Sequence, residues 1–121
     1  MVNKVLVADD SGVIRKIVVR ALNACGVTDI VEAGDGAEAL TQFQQQPFDL
    51  VLTDWNMPNK TGLELIQDIR GGGSDVPIIM ITTEAEKKAV LQAIQAGVSD
   101  YLTKPFEADA LREKINKFAG E

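Results

Sequence analysis

The sequence predicts an α/β domain built as a doubly wound, five-stranded parallel sheet with helices on both faces. Strand-like apolar runs alternate strictly with segments of helical period, and no internal repeat or low-complexity tract interrupts them. A second observation points at function as well as fold. Four of the runs end in polar residues that can handle phosphate or metal: Val5–Ala8 runs into Asp9 and Asp10, Leu50–Thr53 into Asp54, Ile78–Ile81 into Thr82, and Tyr101–Thr103 into Lys104. Parallel neighbours need long right-handed crossovers, so these five side chains emerge at one carboxyl edge.

Val5–Ala8 is continuously apolar, as a strand covered on both faces should be. Val13, Ile14, Ile17, Val18, Ala21 and Leu22 then recur at helical spacing up to Gly26, a plausible stop, with Ser11 and Asp10 placed to cap the start. Asp29–Ala33 reads as the second strand. Asp35 with Glu38 is a capping-box-like start for a helix carrying Ala39, Leu40 and Phe43, which Pro47 closes. Leu50–Thr53 is the third strand, and Thr61 with Glu64 repeats the capping signature ahead of Leu63, Leu65, Ile66 and Ile69. Gly71–Gly73 reads as a flexible connection, since no phosphate-loop lysine follows it. Pro77 leads into the fourth strand, Ile78–Ile81, and Glu84–Ala96 forms a helix ended by Gly97. Tyr101–Thr103 is a brief fifth strand, and Leu111, Ile115 and Phe118 mark the last helix.

Bulk properties bound the function. The 121 residues make one domain, spanning 1–121, with one core. A formal charge of -6 argues against a nucleic-acid binder, so Arg15-Lys16 and Lys87-Lys88 read as solvated helix faces. The lone Cys25 cannot form an internal disulfide and reads as packing. No apolar stretch is long enough for a membrane span and no signal sequence is evident, so a soluble, cytoplasmic protein is expected. Histidine is absent, which removes Ser/His/Asp and Cys/His catalysis and histidine-ligated metals.

An open doubly wound sheet binds ligands where its strand order reverses, and in the common order 2-1-3-4-5 the first and third strands flank that point. Those strands end in Asp9-Asp10 and Asp54. Three carboxylates brought within a few ångströms repel by roughly 1–4 kcal/mol per pair. A divalent cation reverses that sign, and an oxygen-only, open site suits Mg²⁺. Two other classes fit poorly. A flavodoxin-type electron carrier needs a Ser/Thr/Gly-rich phosphate loop where Asp9-Asp10 stands, and a haloacid-dehalogenase-type phosphatase wants a second acid where Asn56 stands.

The segments VLVADDS (5–11), LVLTDWNMPNKTGLELI (50–66), IIMITTEAEKK (78–88) and AGVSDYLTKPF (96–106) resemble, in order and spacing, the receiver domain of two-component response regulators, with the single-domain chemotaxis regulators most similar. The resemblance implies a flavodoxin-like fold and a phosphorylation-activated signalling protein, not an enzyme, that catalyses only its own phosphorylation and dephosphorylation. Asp54 would be the phosphoacceptor. Asp10 and Asp54 would ligate Mg²⁺ directly with the backbone carbonyl of Asn56, Asp9 would hold it through water, and Mn²⁺ could substitute. Lys104 would pair with a phosphoryl oxygen, and the Lys104-Pro105 bond would be cis.

Thr82 and Tyr101 would form the switch, the hydroxyl moving toward the phosphoryl group and the ring entering the vacated space. The surface that changes would be the fourth helix, fifth strand and fifth helix. Asn56 and Glu84 would tune dephosphorylation. Thr83 departs from the small alanine of the chemotaxis regulators, and the triple glycine also departs. Implied partners are a sensor histidine kinase of chemotaxis type, an output protein such as a flagellar motor switch protein, and a possible phosphatase, with the chain a monomer. The alternative within the family is a phosphorelay or phosphate-sink receiver, or a receiver excised from a longer regulator. Trp55 has no implied role but adjoins the site as a fluorescent reporter.

Overall fold

A computed structural model describes residues 2–84 and 86–119. Met1, Gly120 and Glu121 of the expected 1–121 domain, and Ala85 of the expected fourth helix, lie outside the described residues. The strands β1 (Lys4–Ala8), β2 (Asp29–Ala33), β3 (Leu50–Thr53), β4 (Ile78–Thr82) and β5 (Asp100–Thr103) pair in parallel in the order β2-β1-β3-β4-β5, as expected. They alternate with α1 (Gly12–Ala24), α2 (Gly36–Gln45), α3 (Gly62–Gly71), α4 (Lys87–Ala96) and α5 (Ala108–Ala119).

Both sheet faces are covered, which is why the central strands are unbroken apolar runs. Val5, Val7, Leu50, Leu52, Ile79 and Ile81 meet Val18, Ala21 and Leu22 of α1 and Leu111 and Ile115 of α5. Leu6, Ala8, Val51, Ile78 and Met80 meet Ala39 of α2 and Leu65, Ile66 and Ile69 of α3 on the opposite face. Burying each large side chain contributes roughly 1.5–3 kcal/mol, so the sheet is the rigid frame from which the edge loops hang. Register then sets the edge. Ala8 lies opposite Thr53 and Thr82 opposite Thr103, so Asp9 and Asp54 leave the sheet side by side, as do Thr83 and Lys104.

Helix starts follow the capping residues, with two differences. Ser11 caps α1 by accepting from Ile14 N, and Thr61 with Glu64 forms the full reciprocal box on α3. On α2, Asp35 accepts from Glu38 N at 2.7 Å, but Glu38 Oε1 reaches back to Gly34 N at 2.6 Å, one residue beyond a true box. The fourth helix begins at Lys87 and not at Glu84. The Glu84 carbonyl, which a helix starting there would offer to an N–H one turn on, instead accepts from the Tyr101 hydroxyl.

Three other expectations are corrected. Val13 and Ile17 face solvent at 69% and 38% exposure, because Ile14, Val18, Ala21 and Leu22 form the stripe against the sheet and leave those two on its flank. Gly71 closes α3 and Gly72 caps it; only Gly73, at φ 93°, takes the left-handed turn into the connection. Arg15 is no solvated side chain but is bonded at both ends of its guanidinium. Cys25 does pack against the α1/α5 side of the core, where burial pushes its thiol up.

Candidate functional site

The site is built at the carboxyl edge from Asp9, Asp10, Asp54, Thr82 and Lys104. Asp9 is buried just past β1; its N–H donates to the Ala33 carbonyl at 3.1 Å, and its Oδ1 accepts from Ser11 N at 2.9 Å. Asp54, buried just past β3, donates its N–H to the Ala8 carbonyl at 2.9 Å and accepts from Trp55 N at Oδ1, 2.7 Å away. Lys104 closes the arrangement. Its Nζ lies 2.9 Å from Asp9 Oδ2 and 3.2 Å from Asp54 Oδ2, one ammonium shared between two buried carboxylates. Burial alone would lower the Lys104 pKa, but the bonds and charges of Asp9 and Asp54 outweigh it and hold the ammonium above its ordinary value. The Lys104-Pro105 bond is cis.

Asp10 is exposed, and one carboxylate oxygen from each of Asp9, Asp10 and Asp54 lies within 4.8 Å of the others. Three acids face one lysine, so negative charge is in excess. The donors are all hard oxygens, and the exposure of Asp10 leaves water room to complete a shell, so the residues fit Mg²⁺. Behind Asp9 and Asp54 lies a void of only about 10 Å³, too small for an organic substrate. A groove of about 410 Å³ between α3 and α4 contains none of the three acids.

Thr82 is fully buried, its hydroxyl accepting from Glu84 N at 3.2 Å, while its carbonyl accepts from Lys104 N at 2.8 Å. Tyr101 is half-buried, its ring packed against the α2/α3 side of the core and its hydroxyl donating to the Glu84 carbonyl. Burial and then the nearby carboxylates of Glu84 and Asp54 push the phenol pKa up, keeping it a neutral donor. The ring thus packs against that side of the core while the Thr82 hydroxyl accepts from Glu84 N. Asn56 and Thr83 are exposed on the loops after Asp54 and Thr82, and Glu84 is half-buried.

Sequence reasoning missed two contributors. Gly62 sits so close to the loop after β3 that an added Cβ would stand 1.9 Å from the Asp54 carbonyl oxygen, a backbone approach only glycine permits. Arg15 donates from Nη1 to the Asp9 carbonyl at 2.6 Å and from Nε to Glu32 at 3.0 Å. A signal for Arg15 existed: a residue in the first helical turn leans back over the loop before it.

The chain matches, over residues 5–116, the family model for the response regulator receiver domain, and it belongs to that family. It is similar to the chemotaxis protein CheY of Pseudomonas aeruginosa, at 40% identity over 116 residues and 94% of each chain. CheY-3 of Vibrio cholerae is 41% identical, over 94% of this chain and 89% of that one. Among solved structures, the receiver domain of the Francisella response regulator 1452 superposes with TM-score 0.90 at 31% identity, covering 98% of this chain and 97% of that one. CheY4 of Vibrio cholerae gives 0.88 at 33%, covering 98% and 99%. Proteins of this kind are standard examples of the strand order found here.

Proposed function

We propose that this chain is a single receiver domain that works as a phosphorylation-activated switch, with Asp54 as the acceptor. The observation that carries the reading is the Lys104 ammonium bridging Asp9 and Asp54, with Asp10 within 4.8 Å, at the edge where the register delivers β1 and β3 together. A carboxylate oxygen of Asp54 forms a P–O bond to the phosphoryl group of a sensor kinase's phosphohistidine. The P–N bond breaks as it forms, and its electron pair leaves with the imidazole, which takes up a proton.

Mg²⁺, held by Asp10, Asp54 and the Asn56 carbonyl and through water by Asp9, would neutralise charge as anionic nucleophile and anionic phosphoryl group approach. Lys104 turns its ammonium from Asp54 to a phosphoryl oxygen, a short move for a compact charge on a flexible stem. Thr82 turns its hydroxyl to another phosphoryl oxygen and gives up the Glu84 N–H. Because the Tyr101 hydroxyl holds the Glu84 carbonyl, that loss is felt at the start of α4 and at β5. An output partner reads the α4-β5-α5 surface. Asn56 and Glu84, beside the acceptor and the switch, set how fast water removes the phosphoryl group, with Thr83 as a further obstacle to its approach.

The likeness to CheY proteins supports a chemotaxis role in the cytoplasm, with a flagellar motor switch protein as output partner and a phosphatase as a further contact. The likeness to the Francisella receiver domain, at 31% identity and TM-score 0.90, supports the second reading, a relay receiver or part of a longer regulator. Capture of a motor switch protein only after acyl phosphate treatment selects the first. The switch itself is tested by Trp55 fluorescence. Emission should change on adding Mg²⁺ and again on adding a small acyl phosphate, with chelator abolishing both; a flat response to both would contradict the reading.

A further inference from the structure

We propose that Arg15 is a positioning residue for the cation-binding edge, acting through the peptide group that joins Asp9 to Asp10; this rests on the Mg²⁺ reading above. Arg15 sits in the first turn of α1 and reaches back over the loop that carries both acids. Its Nη1 donates to the Asp9 carbonyl at 2.6 Å, and its Nε donates to Glu32 Oε1 on β2 at 3.0 Å. The next residue on β2, Ala33, accepts the Asp9 N–H at 3.1 Å. Both backbone groups of Asp9 are thereby tied to the end of β2, one directly and one through the guanidinium.

The tie matters most for Asp10. The Asp9 carboxylate is already fixed by Ser11 N and Lys104. The Asp10 carboxylate is exposed and, among the described residues, has no hydrogen bond. No bond orients its side chain, so what the fold fixes is its main chain, and the Asp9 carbonyl shares a rigid peptide plane with the Asp10 N–H. Repulsion from Asp9 and Asp54 pushes Asp10 outward, and the Arg15 bond resists the peptide rotation that would let it go.

Glu32 balances the guanidinium, so the restraint adds no net positive charge beside a site that must attract a cation. The Arg15–Glu32 pair is itself partly exposed, at 24% and 47%, and such pairs contribute little to stability. Its value is direction.

The test is Mg²⁺ titration of the wild type, Arg15→Met, Arg15→Lys and Lys16→Met, read by Trp55 fluorescence and calorimetry well below each melting temperature. Arg15→Met should bind Mg²⁺ about tenfold more weakly, the loss typical when a group that orients metal ligands is removed. Arg15→Lys, which keeps the charge and most of the packing but cannot bond in two directions, should weaken too, and it carries the test if Arg15→Met does not fold. Lys16→Met, which removes an exposed charge next door, should bind as the wild type does. A charge effect alone predicts the opposite sign for Arg15→Met, tighter binding. Wild-type or tighter affinity in Arg15→Met, or wild-type affinity in Arg15→Lys, overturns the role of Arg15. No Mg²⁺ response in the wild type would instead overturn the cation reading itself.

Discussion

Thr82 and Tyr101 hold the two backbone polar groups of one residue: the Thr82 hydroxyl accepts the Glu84 N–H at 3.2 Å, and the Tyr101 hydroxyl donates to the Glu84 carbonyl. A buried threonine at the acidic edge and a half-buried tyrosine on the edge strand therefore meet on a single residue ahead of α4. The two hydroxyls are thus joined through one residue of main chain.

Removing either hydroxyl should cost about 1 kcal/mol, the usual net worth of one such bond. Thr82→Val and Tyr101→Phe should each lower stability by that amount in urea denaturation, and the double variant should lose less than the sum, since both act through Glu84. Both should still accept the phosphoryl group but fail to capture the output partner in response. Strictly additive losses would show that the hydroxyls act separately.

Lys104 neutralises two buried carboxylates, so Lys104→Met leaves both uncompensated. Breaking a pair of this burial costs about 3 kcal/mol. That loss should be seen by denaturation in chelator, and millimolar Mg²⁺ should recover more stability in the variant than it adds to the wild type, because the cation takes over the neutralising role. Equal gains from Mg²⁺ in both proteins would place the cation away from Asp9 and Asp54.

Asp100 gives stability an acid limit. Burial alone would raise its pKa, but Lys114 Nζ at 2.9 Å, the Tyr101 N–H at 2.8 Å and Lys117 Nζ at 3.2 Å outweigh it and hold the carboxyl below its ordinary 3.8. A carboxyl with a depressed folded-state pKa contributes stability above the unfolded value and loses it as pH falls through the folded one. Asp100→Asn should therefore be less stable than the wild type at pH 7 by about 1 kcal/mol or less, given the partly exposed lysines. The gap should close below pH 3.8. Lys104 sets the alkaline counterpart: its raised pKa gives stability that is full below 10.5 and lost as pH rises through the folded value, a loss absent from Lys104→Met.

Much of this was legible in the chain because the sheet is buried on both faces. An unbroken apolar run has few ways to fold, and Asp29–Ala33 and Leu50–Thr53 have the bounds their residues predict. Thr61 and Glu64 form their box because both partners lie within one turn. What was not legible depends on contacts distant in sequence. The start of α4 is displaced because Tyr101, 17 residues on, occupies the Glu84 carbonyl. Val13 and Ile17 have helical spacing, but which flank of α1 meets the sheet is decided by packing around Val18 and Leu22. The five edge residues could be named, yet that one lysine bonds two acids 95 and 50 residues away is a fact of register. Arg15 was misread although its place in the first turn of α1 hinted at the Asp9 carbonyl; its other partner, Glu32, comes within reach only through the pairing of β1 with β2.

The most direct measurement is intact mass after incubation with a small acyl phosphate and Mg²⁺, on the wild type and on Asp54→Asn. The wild type should gain one phosphoryl mass, labile as an acyl phosphate is, and Asp54→Asn should gain none while still folding cooperatively. A phosphoryl mass that persists in Asp54→Asn, or that never forms on the folded wild type, would contradict the assignment of Asp54 as the acceptor.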